Sequence, residues 1–185
     1  MYLIDNTYFT GKYEIPNVLE SNNGVSELLN QFIEIEVPLF LQGLLGFELF
    51  TELESHITDG VLDIGAPQKW LDLVNGVDYD GKRWNGLLYT IGSNKKSLLA
   101  NFVWCKYFTD KNRIDGNGNY NIIDSKNAIF GNAANQYFPI YNEFVLMVNC
   151  STTTNYVSLN EFISDKQTDY PTANYVYLEL ENRFL

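Results

Sequence analysis

Three side chains in the stretch RIDGNGNYN, those of Asp115, Asn117 and Asn119, carry oxygens at alternate positions, the spacing at which a calcium loop presents its ligands. The rest of the pattern does not follow. The sixth position holds Tyr120 where a glycine makes the sharp turn, and the twelfth holds Lys126 where a bidentate glutamate belongs. His56 is the only histidine, which removes most triads and metal centres, and its place at the end of an apolar segment asks no more than a structural role. Cys105 and Cys150 sit in apolar sequence without a CxxC spacing, as buried free thiols do, and a reducing compartment is the default. Glu34 with Glu36, and Glu52 with Glu54, form carboxylate pairs. A working acid and base pair needs burial to separate its two pKa values, so these read as acids on solvated helix faces. The motifs GxSxG, HExxH, GxGxxG and the P-loop GxxxxGK followed by Ser or Thr do not occur. Residue chemistry alone therefore predicts a non-enzymatic protein without cofactor or metal.

The elements that would position any site are mostly helical. In SNKKSLLANFVWCKYFTD, Ser93 to Asp110, the apolar residues cover nearly every face at 3.6 residues per turn, which predicts a helix buried all round and capped by Ser93 or Asn94. Lys95, Lys96, Asn101 and Lys106 leave it one narrow wet stripe. From Ser26 the spacing is helical, and Pro38, which lacks an amide hydrogen, predicts either two consecutive helices or one sharply bent there. Gly43 and Gly46 each cost a helix about 1 kcal/mol relative to alanine, which points to close approach of another backbone, such as the central helix. Pro67 opens a short helix closed by Gly76, and Asp80-Gly81 turns a small hairpin near 77–88. Pro139 opens a further helix, and VSLNEFISDK makes one or two turns before Tyr170-Pro171. In Tyr175 to Glu181 the alternation has a period of two, a strand that either adds to a neighbour's sheet edge or pairs within its own subunit.

The chain of 185 residues fits one domain. The expected fold is mainly α, a compact helical bundle around the central helix at about 93–110, with an N-terminal arm over about 1–22 and a C-terminal arm over about 170–185. Aromatic residues make up 15%, enough to leave aromatic surface for interfaces. No apolar run reaches a membrane span and the first residues lack a signal-peptide pattern, so a soluble, unsecreted protein is expected. The net charge of -11 is uneven: residues 1–80 hold fourteen acids and two bases, and residues 81–185 nine acids and ten bases. Such a balance disfavours tight nucleic-acid binding but suits a surface along which DNA slides.

The ordered segments VPLFLQGLLGFELFTEL, YDGKRWNGL, SLLANFVWCKYFTDKN, YNEF and SLNEFISDKQTDYP together resemble a family of head-tail connector or adaptor proteins from phages and prophages of Bacteroidetes, including crAss-like phages. The resemblance implies a helical structural protein of the virion, assembled in the bacterial host cytoplasm. It would form a twelve-fold ring of its own copies beneath the portal protein, hand contacts on to the tail or the next ring protein, and let DNA pass without specific binding. Membrane contact is not implied. A ring needs two different faces per subunit, and halves of unequal charge offer a basis for pairing them. The candidate subunit contacts are Lys95, Lys96, Lys106, Lys111 and Arg113; the same cations are alternatively a DNA-binding patch. By analogy with the family, the docking arm toward portal or neighbour comprises Tyr175, Val176, Tyr177, Leu178, Leu180 and Phe184. The competing reading is a binding protein or enzyme whose site is built from scattered Tyr, Trp and Asp residues.

Overall fold

A computed structural model describes residues 3–19, 24–91, 94–95, 97–111, 133–149 and 155–176. Among them the chain is mainly helical, with five α-helices and three two-stranded antiparallel hairpins. Two 3-10 turns, Asn6–Tyr8 and Gly11–Tyr13, precede the first long helix. This N-terminal segment is not the free arm expected: Leu3, Ile4, Phe9, Tyr13, Ile15 and Val18 are buried in the core. Its turn-forming residues fold the chain back so that the apolar residues between them point inward.

Helix α1, Gly24–Glu54, buries Leu29, Ile33, Val37, Leu41, Leu44 and Leu45 at helical spacing. Its backbone remains helical through Pro38 and departs at Gly46, with φ 75 and ψ 171, so the break lies eight residues beyond the proline where it was expected. A positive φ is available to glycine without steric cost. The close approach predicted from the glycines comes from Thr172, whose carbonyl oxygen would lie 3.6 Å from a Cβ at Gly46, and not from the central helix. The carbonyls just before the break find donors in the same segment. Leu44 accepts from the Asn174 amide at 2.7 Å, Gly43 from Asn174 Nδ2 at 3.2 Å, and Leu45 from Thr172 Oγ1 at 3.3 Å. An interrupted helix is thereby kept from leaving buried acceptors unpaired.

Hairpin β1–β2, Ile57–Thr58 with Val61–Leu62, leads to α2, Gln68–Asn75. Gly76 closes α2 as predicted, and the chain then forms β3, Val77–Tyr79, and β4, Lys82–Trp84, around Asp80 and Gly81, both at positive φ. At Gly76 and Gly86 the two backbones nearly touch: a Cβ on either would come within 2.5 Å of the other strand's main chain. This contact lets Leu87 and Leu88 donate to the Leu73 and Val74 carbonyls, at 3.0 and 2.9 Å, and seal the end of α2.

A third hairpin, β5 (Thr90–Ile91) with β6 (Asn94–Lys95), occupies the place where the central helix was expected to begin. The helix itself, α3, is Leu98–Lys111, and its cap is Ser97: Oγ accepts from the Ala100 amide at 3.2 Å and donates to the Leu87 carbonyl at 2.8 Å. Lys95 therefore belongs to a strand and Asn101 is buried, so of the predicted wet stripe only Lys106 lies exposed on the helix among the described residues. The central role of α3 does hold, for α1, α4 (Ala133–Asn149) and the second 3-10 turn all pack against it. Phe40 of α1, Phe102 of α3 and Phe144 of α4 meet with ring centroids 4.8 to 6.2 Å apart. Pro139 lies inside α4 and does not open it. Helix α5, Leu159–Asp165, starts at a capping box in which Ser158 and Glu161 satisfy each other's amides. Cys105 is a buried free thiol, pushed up to about 12 by burial, while Cys150 and the whole 113–121 loop lie outside the described residues.

Candidate interaction surfaces

Of the predicted cationic contacts, the structure places Lys95 and Lys106 and uses both inside the chain. Lys95 Nζ donates to Thr7 Oγ1, lies 3.9 Å from Asp5 Oδ1 and sits 4.6 Å from the centre of the Tyr8 ring, so it clamps the N-terminal segment onto β6. Lys106 lies 3.8 Å from Glu36 Oε2 and 5.5 Å over Phe102, joining α3 to α1. Lys96 and Arg113 lie outside the described residues, as does the Lys111 side chain. Of the predicted arm, only Tyr175 and Val176 are described. Val176 is held on both sides by one side chain: its amide donates to Asn160 Oδ1 at 3.1 Å and its carbonyl accepts from Asn160 Nδ2 at 2.8 Å. Tyr177, Leu178, Leu180 and Phe184 fall outside.

The other described ion pairs follow the same inward pattern. Lys12 pairs with Glu143, which also accepts from the Tyr13 hydroxyl at 3.0 Å. Lys69 meets Glu52 at 2.8 Å, and this bond holds the Glu52 carboxyl below its usual range. Lys82 meets Asp165 at 2.6 Å, which lowers the Asp165 carboxyl and raises the lysine. Arg83 is 3.3 Å from Asp78.

One open cleft of about 630 Å³ lies along the β3–β4 hairpin and the segment at Asn155 and Tyr156. Arg83 bridges the two, donating its amide to the Asn155 carbonyl at 2.6 Å and accepting from the Val157 amide at 3.0 Å. Tyr79 on its floor is tied to Asp165, and its hydroxyl is raised chiefly by burial and then by that carboxylate. The cleft offers hydrogen bonds and charge of both signs, with the cations already neutralised by neighbouring acids. Among the described residues, no group of three His, Cys, Asp or Glu side chains gathers to hold a metal, and no helix is long and apolar enough to cross a membrane.

The surface that sequence reasoning missed is apolar. Ile35 and Leu39, one turn apart on the outer side of α1, are 58% and 56% exposed, and Phe47, the first side chain after the break, is 79% exposed. At the β1–β2 hairpin Val61 and Ile64 are exposed as well, Ile64 almost fully. A signal was present: VPLFLQGLLGFELF holds more large apolar residues than one buried face can use. No protein-family model, curated protein or solved structure matches this chain.

Proposed function

We propose that this chain is a structural protein of a phage virion, assembling with its own copies into a ring at the head-tail junction that joins portal to tail around the DNA channel. The observation that carries the reading is the apolar side chains on separate elements, Ile35, Leu39 and Phe47 on α1 and Val61 and Ile64 at the first hairpin. A subunit that meets neighbours on two sides, and other proteins above and below, needs apolar surface in more than one place. The order of sequence segments resembling connector proteins gives the direction. The charge fits as well: Lys12, Lys69, Lys82, Arg83, Lys95 and Lys106 each lie near a carboxylate of their own chain, which leaves a net-acidic surface that DNA passes without sticking. Native mass measurement and electron microscopy of the purified full chain test the proposal. Closed rings of about twelve copies are expected, and a protein that stays monomeric at every concentration overturns it. The cleft beside Arg83 favours the competing reading, a small-ligand binder; a monomer whose thermal stability rises with a bound ligand, an effect lost in Arg83→Ala, would establish that instead.

A further inference from the structure

Pro171 to Val176 are fastened to the molecule differently from the residue before them. Tyr170 is 1% exposed, its ring packs on those of Trp70 and Phe162 at 5.8 and 5.9 Å, and its hydroxyl donates to the Lys69 carbonyl. It is an anchor. Beyond it Pro171, Thr172, Asn174 and Tyr175 are exposed, and Ala173 and Val176 are only half-buried against the core. Hydrogen bonds hold this segment at both ends: Thr172 and Asn174 donate to the Gly43, Leu44 and Leu45 carbonyls of α1, and the Asn160 carboxamide of α5 takes both main-chain groups of Val176. No charged side chain occurs in it. Ordering a residue's backbone costs more than a solvent-exposed hydrogen bond returns. Exposed bonds with few buried apolar contacts therefore mark a segment that opens on its own.

The acceptors give that opening a consequence. In an unbroken helix the Gly43, Leu44 and Leu45 carbonyls would accept from the amides four residues on, those of Phe47, Glu48 and Leu49. The turn of the backbone at Gly46 takes the chain out of that register, and Thr172 and Asn174 supply donors in its place. We propose that residues 171–176 form a latch, which releases as one unit about Tyr170–Pro171 while the rest of the chain stays folded, and whose release unseals the break in α1. The bend of α1 then answers to whether this strap is docked. The latch does not depend on the ring, because it lies within one chain and serves a monomer equally.

Hydrogen exchange of the full-length chain, read residue by residue by fragmentation mass spectrometry, tests the latch. The Asn174 amide, bonded to the Leu44 carbonyl, reports the α1 end of the strap, and the Val176 amide, bonded to Asn160, reports the other. Both are expected to share one protection factor, about a hundredfold below that of the Trp104 amide in α3, and to keep it in low urea, which exposes little more surface when only a strap opens. Two substitutions cut the strap at opposite ends. Asn160→Ala removes the bonds to Val176, and Thr172→Ala removes the bond to Leu45; each should lower the protection of Asn174 and Val176 together, by about tenfold. Val103→Ala, in the core, should lower protection at Trp104 and leave both strap amides as they were. Strap amides that exchange only as slowly as Trp104 overturn the proposal, since the segment then opens only with the whole fold. So does a response confined to the amide beside each substitution, which would make the two ends independent.

Discussion

Helices α1 and α3 are both apolar beyond what one buried face requires, yet they end in opposite surroundings. Helix α3 is enclosed by α1, α4 and the N-terminal turns, and Leu98, Leu99, Val103, Trp104 and Cys105 all vanish from the surface. Helix α1 buries one side as thoroughly and leaves Ile35, Leu39 and Phe47 in solvent on another. Composition does not separate the two cases. What separates them is how many other elements of the chain reach each helix, and that is a property of topology.

Four comparisons, made with five substitutions, break or sharpen this contrast. The largest effect belongs to α3: Trp104→Ala, at a side chain 1% exposed and stacked on Phe108, should destabilise by about 3–5 kcal/mol in urea denaturation. An exposed counterpart, Leu39→Ser, should stay within about 0.5 kcal/mol of the parent, and an equal loss at both sites would end the distinction. Next comes the break in α1. Gly46→Ala forces a Cβ into positive φ and should cost about 1–2 kcal/mol in the same measurement; a stabilised variant would mean that α1 can run straight. Third, Ser158→Ala removes the capping box of α5, for about 1 kcal/mol. The smallest effect concerns the bond between α1 and α2. The Glu52 carboxyl is lowered by Lys69, so its stabilisation is complete above the ordinary glutamate value near 4.3 and is lost as pH falls through the depressed folded value. Glu52 is half in solvent, so Glu52→Gln should flatten the acid limb of stability against pH by no more than a few tenths of a kcal/mol. A parent and variant with parallel acid limbs would remove Glu52 from the account.

Much of the local structure could be read from residues whose preference is decided by their neighbours in sequence. Asp80-Gly81 specified the hairpin, Gly76 the end of α2, and Ser158 with Glu161 stands at the start of the short helix read in VSLNEFISDK. The misplaced boundaries turn on what tertiary contact tolerates. Pro38 and Pro139 remain inside helices because only one amide is lost at each, whereas Gly46 breaks its helix where Thr172 and Asn174 can take up the carbonyls. Residue 174 is too distant in sequence for any local pattern to announce it. Ser97 outcompetes Ser93 as the cap of α3 because its hydroxyl also reaches the Leu87 carbonyl. Of the candidate contacts, Lys95 and Lys106 were visible as cations, but their partners Asp5 and Glu36 come from the first forty residues and are set by the fold alone. The outer face of α1 was hidden for the opposite reason: in sequence it looks like core.

The sealing of the α1 break has a consequence for how the protein is made. Asn174 and Gly43 are separated by 131 positions, so the donors that satisfy this helix are among the last described residues to be synthesised. Until they arrive, α1 can hold water at Gly43 and Leu44 or run straight through Gly46, and either state differs from the native one. Chains stalled before residue 172 should therefore show early amide protection in α3 but a pattern of amide protection beside Gly46 that differs from the native one, with the native bend appearing only once translation is nearly complete.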